Sequence, residues 1–182
     1  MVNTNMSTEI LVINSIVAAP FDTVFGVLAD PSKHAAIDGT GWVRESLDGK
    51  PIEESGQVFR MQMYFLNPNE PENFYEISNK VVVFDPPRAI AWEPGQDGPD
   101  GWLTWGGWIW RYDLAAVGEA QTEVTLTYDW SATSQEVRDE IQFPPFPVTH
   151  LENSLDNLAK LATLAYRAVT SDAPDGQYQH DR

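Results

Sequence analysis

The strongest constraint on this chain is a change of period between its middle and its end. From Val58 to Trp130 apolar residues recur at every second position in separate stretches, whereas from Thr149 onward they recur at intervals of three and four. The first pattern marks strands with one buried face, the second a helix with one buried face. Phe59, Met61, Met63 and Phe65 share a side opposite Arg60, Gln62 and Tyr64, and Tyr75, Ile77, Val81 and Val83 oppose Glu76, Ser78 and Lys80. Trp108, Trp110, Tyr112 and Leu114 then alternate with Ile109, Arg111 and Asp113, as Val124, Leu126, Tyr128 and Trp130 do with Thr125, Thr127 and Asp129. The closing stripe, Leu151, Leu155, Leu158, Ala162, Ala165 and Val169, predicts a helix of about 20 residues, ~30 Å long and able to span a sheet. Thr149 and Glu152 stand at capping-box spacing at its start.

The punctuation completes the outline. Glu9 to Ala18 reads as a strand buried on both faces. Pro20 suits a first helical position, and Phe21, Val24, Phe25 and Leu28 give a short amphipathic helix. Asp30-Pro31 opens a second short helix through about Ile37, which Asp38-Gly39 ends. Asp85-Pro86-Pro87 turns the chain into a strand over Ala89 to Trp92, and Pro94 to Gly101 reads as a loop. Gly106-Gly107 predicts a bulge or bend, and Gly118 a turn. The expected fold is α+β: a bent antiparallel sheet wrapped around a long C-terminal helix, with two short helices after the first strand. Residues 9–170 form one domain in this reading, between an N-terminal tail, 1–8, and a disordered tail, 171–182.

Acidic residues outnumber basic ones 27 to 11, for a net charge of −16, which repels nucleic-acid phosphates and anionic lipid surfaces. No nucleic-acid partner is expected. Cysteine is absent, and His34, His150 and His180 are far apart, so neither a disulfide framework nor a metal site is expected. The start lacks the pattern of a secretory signal, and no apolar run reaches the ~20 residues of a membrane span. A cytoplasmic protein without stable membrane insertion is the expectation. Oligomeric state is open, a homodimer included. Seven Trp within an aromatic content of 12% raise the idea of a cavity lined with aromatic faces, beside that of a sheet whose core absorbs them.

The order strand, two short helices, antiparallel strands and long helix resembles the START-like (SRPBCC) superfamily over residues 9–170. The likeness is carried by Ala18-Ala19-Pro20 before Val24-Phe25, by Leu28-Ala29-Asp30-Pro31, by Phe84-Asp85-Pro86-Pro87-Arg88 before Ile90-Ala91-Trp92, and by Trp110-Arg111-Tyr112-Asp113-Leu114. These phrases look like the polyketide cyclase/dehydrase-type branch, as does His34-Ala35-Ala36-Ile37-Asp38-Gly39-Thr40-Gly41. The resemblance implies a helix-grip fold with an internal cavity. It does not choose among lipid carriers, quinone-binding proteins, cyclases, hormone receptors and chaperone activators.

Three functions follow as expectations. The first is binding of a small hydrophobic molecule, aromatic, polyketide-like or lipid-like, without a cofactor, by Phe59, Met61, Met63, Trp92, Trp108, Trp110, Tyr128 and Trp130. The second is a cyclase or dehydratase in which Asp38 orients His34 as a general base; their four-residue spacing sets them on one face of a short helix. Against it stands a bland reading, with Asp38 turning the chain before Gly39 and His34 packing on the surface. The third is a chaperone-activator-like interaction module using the acidic surface. Arg60 and Arg111 fall on polar strand faces and read as surface ion pairs, and His150 as an exposed residue at a helix start.

Overall fold

Period two becomes a single antiparallel sheet, and the long stripe becomes a helix laid against it. The computed structural model describes residues 3–6, 9–65, 73–98 and 100–171. In chain order the elements are β1 (Asn3–Met6), β2 (Ile10–Val17), α1 (Phe21–Leu28), a 3-10 turn (Pro31–Lys33), α2 (His34–Ile37), β3 (Val43–Ser46), β4 (Val58–Tyr64), β5 (Phe74–Asp85) and β6 (Ala89–Asp97). There follow β7 (Leu103–Trp105), β8 (Ile109–Gly118), β9 (Gln121–Asp129), α3 (Gln135–Glu140) and α4 (Thr149–Ser171). The sheet runs β1-β2-β9-β8-β6-β5-β4-β3, with β7 paired to the far end of β6.

Both short helical segments arise as the sequence implies. Val24, Phe25, Val27 and Leu28 bury one side of α1, and the Asp30 carboxylate accepts from the Ser32 backbone N–H at 3.0 Å to start the 3-10 turn. The buried face of α4 consists of Leu151, Ser154, Leu155, Leu158 and Ala162, packed on α1, α2, β2 and β9. Each fully buried leucine contributes roughly 2 kcal/mol of hydrophobic free energy.

Several expectations are corrected. Residues 3–6, read as tail, pair with β2 in register Asn3↔Asn14. Pro94 lies inside a strand, because β6 continues to Asp97 and pairs with β7 after leaving β8. It occupies the changeover of partners, where the ladder is interrupted and a missing N–H is tolerated. Val83 is displaced from the inner face by an irregularity between Val81 and Val83, which turns Phe84 inward to meet the Phe25 ring at 5.5 Å. Thr149 is already inside α4: the first helical bonds run to the Val148 carbonyl from Leu151 at 3.0 Å and Glu152 at 3.4 Å, so Thr149 is not the N-cap of a capping box. The stripe is buried only through Ala162, and Val169 is 76% exposed. Ser171, assigned to the C-terminal tail, ends α4, and the rest of that tail, 172–182, lies outside the described residues.

Candidate functional site

The inward positions of neighbouring strands stand in register across the sheet. Tyr128 on β9 faces Trp110 on β8, Trp110 faces Trp92 on β6, and Trp92 faces Val81 on β5. Further along, Phe59 and Met63 on β4 oppose Asn79 and Tyr75 on β5. With α2, α4 and the segment after α3 these faces enclose a cavity of about 720 Å³, within the size range of small-molecule sites. Because one cavity is bordered by strands from β3 to β9, the sheet must curve around it.

Seven of the eight residues read from sequence as lining border this space: Phe59, Met61, Met63, Trp92, Trp108, Trp110 and Tyr128. Trp130 does not. It is buried beyond the lining, its ring stacked at 6.4 Å on Phe143 and 5.4 Å from Tyr128. It supports the wall without facing the cavity.

His34 and Asp38 both border the cavity, but their side chains share no hydrogen bond; the bond between the two residues is the Asp38 backbone N–H donating to the His34 carbonyl at 2.9 Å. The His34 imidazole is buried, parallel to Trp92 at 5.0 Å and edge-on to Phe59 at 5.4 Å, and its Nε2 lies 2.8 Å from the Leu28 carbonyl. A carbonyl can only accept, so Nε2 carries the proton. Burial lowers the pKa of this ring, which favours the neutral form and leaves Nδ1 as an acceptor. Asp38 is occupied by its own loop: its carboxylate accepts from Thr40 N–H at 3.1 Å, Trp42 N–H at 2.9 Å, Val43 N–H at 3.1 Å and the Thr40 hydroxyl. The chain-turning role read for Asp38 is the one seen, whereas His34 is packed inside and not on the surface.

That loop fixes the cavity against α4. The Gly39 N–H donates to Ser154 Oγ at 2.9 Å, and Ser154 Oγ donates to the His150 carbonyl at 3.0 Å. A Cβ on Gly39 would collide with the His150 carbonyl and lie 2.7 Å from the Ser154 nitrogen, so only glycine allows this approach. His150 is half-buried, with its ring 5.8 Å from Phe146, not the exposed residue expected. Arg60 and Arg111 do form outward ion pairs, with Asp48 at 2.8 Å and Asp113 at 2.6 Å.

Sequence reasoning missed the wall after β9. Ser134 caps α3, and Arg138 ties α3 to the end of β9 through the Thr133 and Trp130 carbonyls at 2.9 and 2.7 Å. The segment behind it carries Phe143 and Phe146 into the cavity wall, with Phe146 5.5 Å from Trp110 and 5.1 Å from Tyr128. A signal was present in Phe143-Pro144-Pro145-Phe146-Pro147: aromatic residues held between prolines have few ways to avoid a fixed position. Trp42, Tyr75, Asn79 and Tyr112 were also missed as lining.

The interior is polar only in places. Phe59, Asn79, His34 and Tyr112 are buried, whereas Gln96, Ile141 and Gln142 are exposed and mark the rim. Burial raises the pKa of Tyr112 and of Tyr75, and the Asp38 charge raises both further, so both phenols are neutral at ordinary pH. Among the described residues the lining contains Asp38 and Glu140 but neither Lys nor Arg. Among the described residues no cluster of His, Cys, Asp and Glu could hold a metal ion, and no helix is long and apolar enough to cross a membrane.

Comparison with protein families finds no match. The chain is similar to two Mycobacterium tuberculosis proteins, "Uncharacterized protein Rv0088" and "Uncharacterized protein MT0096", with 27% and 26% identity over 118 residues, 64% of this chain. The matched region spans 45% of those relatives' length. Among solved structures it resembles NE0264 from Nitrosomonas europaea, with TM-score 0.63, 13% identity and 88% and 98% of the two chains covered. A Rhodobacter sphaeroides protein has TM-score 0.61, 14% identity and coverage of 93% and 99%. CV1439 from Chromobacterium violaceum has TM-score 0.62, 16% identity and coverage of 86% and 99%. At these identities the likeness is one of fold, an antiparallel sheet with a long C-terminal helix.

Proposed function

We propose that this chain is a START-like, helix-grip domain that binds a small hydrophobic molecule in the space between sheet and helix. The observation that carries the reading is the cavity itself: about 720 Å³, bordered largely by aromatic rings and two methionines. A concave, mostly apolar space of that size with a few polar groups on its wall is the form that small-molecule sites take. Methionine side chains adapt to irregular shapes and suit such a wall.

The enzyme reading has less support. A general base oriented by a carboxylate needs a hydrogen bond between the two, and here each has another partner. The interaction-module reading predicts a closed, packed interior, which a cavity of this size does not favour.

The test is calorimetric titration of the purified protein with naphthalene, together with native mass spectrometry after gentle purification. One molecule bound per chain, with quenching of Trp emission, is expected. Absence of saturable binding to the folded protein by naphthalene and by larger apolar probes would refute the reading.

A further inference from the structure

Asn79 sits where an apolar side chain is expected. It lies on the inward face of β5, between Ile77 and Val81, opposite Phe59 of β4, and is 4% exposed. It borders the cavity, and among the described residues its carboxamide makes no hydrogen bond to protein. The amide is therefore open to the cavity instead of being tied to the fold, and can meet a polar group there. The Tyr112 hydroxyl is in the same position: the residue is 5% exposed, borders the cavity and has no hydrogen-bond partner among the described residues. The rings connect these groups to His34. Trp92 is 5.8 Å from Tyr112, 5.0 Å from His34 and 5.7 Å from Phe59, the cross-strand neighbour of Asn79.

We infer that the buried end of the cavity is a recognition site for an uncharged hydroxyl or carbonyl group on the apolar ligand, with Asn79 and Tyr112 as its specificity-determining residues. This rests on the binding function proposed above and adds the chemical class of the ligand. Asn79 can both donate and accept, as can Tyr112, and the neutral His34 offers Nδ1 as an acceptor. None of these groups carries charge. With no Lys or Arg among the described residues of the lining, and Asp38 close enough to raise the pKa of Tyr112, an ionised carboxylate or phosphate would be desolvated there without a counter-charge. The site therefore selects a phenol, alcohol or ketone on an apolar frame and rejects the anionic amphiphile of equal size.

Three probes of one shape test this: naphthalene, 2-naphthol and 2-naphthoate, titrated calorimetrically into the full chain at neutral pH, where naphthol is uncharged and naphthoate ionised. Naphthol should bind roughly five- to tenfold more tightly than naphthalene, as one net hydrogen bond requires, and naphthoate more weakly than either. Asn79→Leu should remove most of the naphthol advantage, read as the ratio of naphthol to naphthalene affinity within the same variant. Tyr112→Phe, which deletes only a hydroxyl, repeats the test should Asn79→Leu not fold. Naphthalene binding with no preference for naphthol, or a preference unchanged in both variants, would overturn the inference and leave the cavity reading standing. If none of the three binds, the cavity reading fails first.

Discussion

The His34 imidazole lies nearly parallel to the Trp92 indole, 5.0 Å between centroids and 20° between planes, and its Nε2 donates to the Leu28 carbonyl at 2.8 Å. The strand at the cavity floor and the end of α1 are thus joined through one small ring. The same ring is edge-on to Phe59, so His34 borders three elements of the core at once. A charged imidazole would lose water on all these sides, and this is why burial holds its pKa below the usual 6.5.

A pH dependence follows from that depression. The unfolded chain binds a proton at His34 before the folded chain does, so stability falls as pH drops below 6.5 and the loss levels off below the folded pKa. The carboxylates held low by arginine, Asp48 and Asp85, begin from an ordinary value of 3.8 and act only in more acid solution. Between pH 6.5 and roughly pH 5 urea unfolding should show a declining midpoint in the parent protein and a flatter profile in His34→Gln, whose amide can still donate to Leu28. Equal slopes in the two proteins would mean that His34 accepts a proton without cost.

Much of this arrangement was legible in the sequence, for identifiable reasons. Alternation placed Phe59, Met61, Met63, Trp110 and Tyr128 on inward faces because a strand offers only two sides. It failed at Val83, where the irregularity after Val81 reverses the sides, since a bulge leaves no fixed mark in sequence. It also passed over Asn79, a polar residue at an inward position, because pattern reading looks for apolar residues. The four-residue spacing of His34 and Asp38 was read as a pair on one helix face. In the structure α2 ends at Ile37, the Asp38 carboxylate is taken up by the backbone of its own loop, and the His34 ring points to a carbonyl that spacing could not reveal. The wall formed after α3 depends on long-range packing by Phe143 and Phe146, whose interval of three is set among Pro144, Pro145 and Pro147 and so forms no helical stripe.

Gly39 should be among the most sensitive small residues in the chain. Gly39→Ala puts a Cβ against backbone atoms of α4, which cannot move aside as a flexible side chain could. Overpacking of this kind costs about 1 to 3 kcal/mol. Ser154→Ala, which takes away the acceptor of the Gly39 N–H without adding volume, should cost about 1 kcal/mol. Chemical denaturation of both variants checks the order, and a Gly39→Ala protein as stable as the parent would show that α4 and this loop are not held this closely.

The long helix offers a contrast within one stripe. Leu155 is fully buried, so Leu155→Ala should cost about 2 to 5 kcal/mol through lost transfer free energy and an unfilled cavity. Val169 belongs to the same stripe by sequence but is 76% exposed, so Val169→Ala should stay within about 0.5 kcal/mol of the parent. A large effect at Val169 would place a surface against the end of α4 that the isolated chain does not have.

Whether the cavity is free volume can be decided without knowing the ligand. Met63 borders it from β4, across from Tyr75, and Met63→Trp adds a large ring pointing into the space. If that space is open, the indole enters it, stability changes by less than about 1 kcal/mol, and naphthalene binding weakens at least tenfold because its volume is already taken. Leu126 provides the comparison: it is fully buried on β9 and does not border the cavity, so Leu126→Phe should meet filled volume and cost about 1 to 3 kcal/mol. Denaturant melts and calorimetric titration of both variants separate the cases. Met63→Trp as destabilising as Leu126→Phe, with naphthalene affinity unaltered, would mean that the β4 face is ordinary packed core and that the probe binds elsewhere.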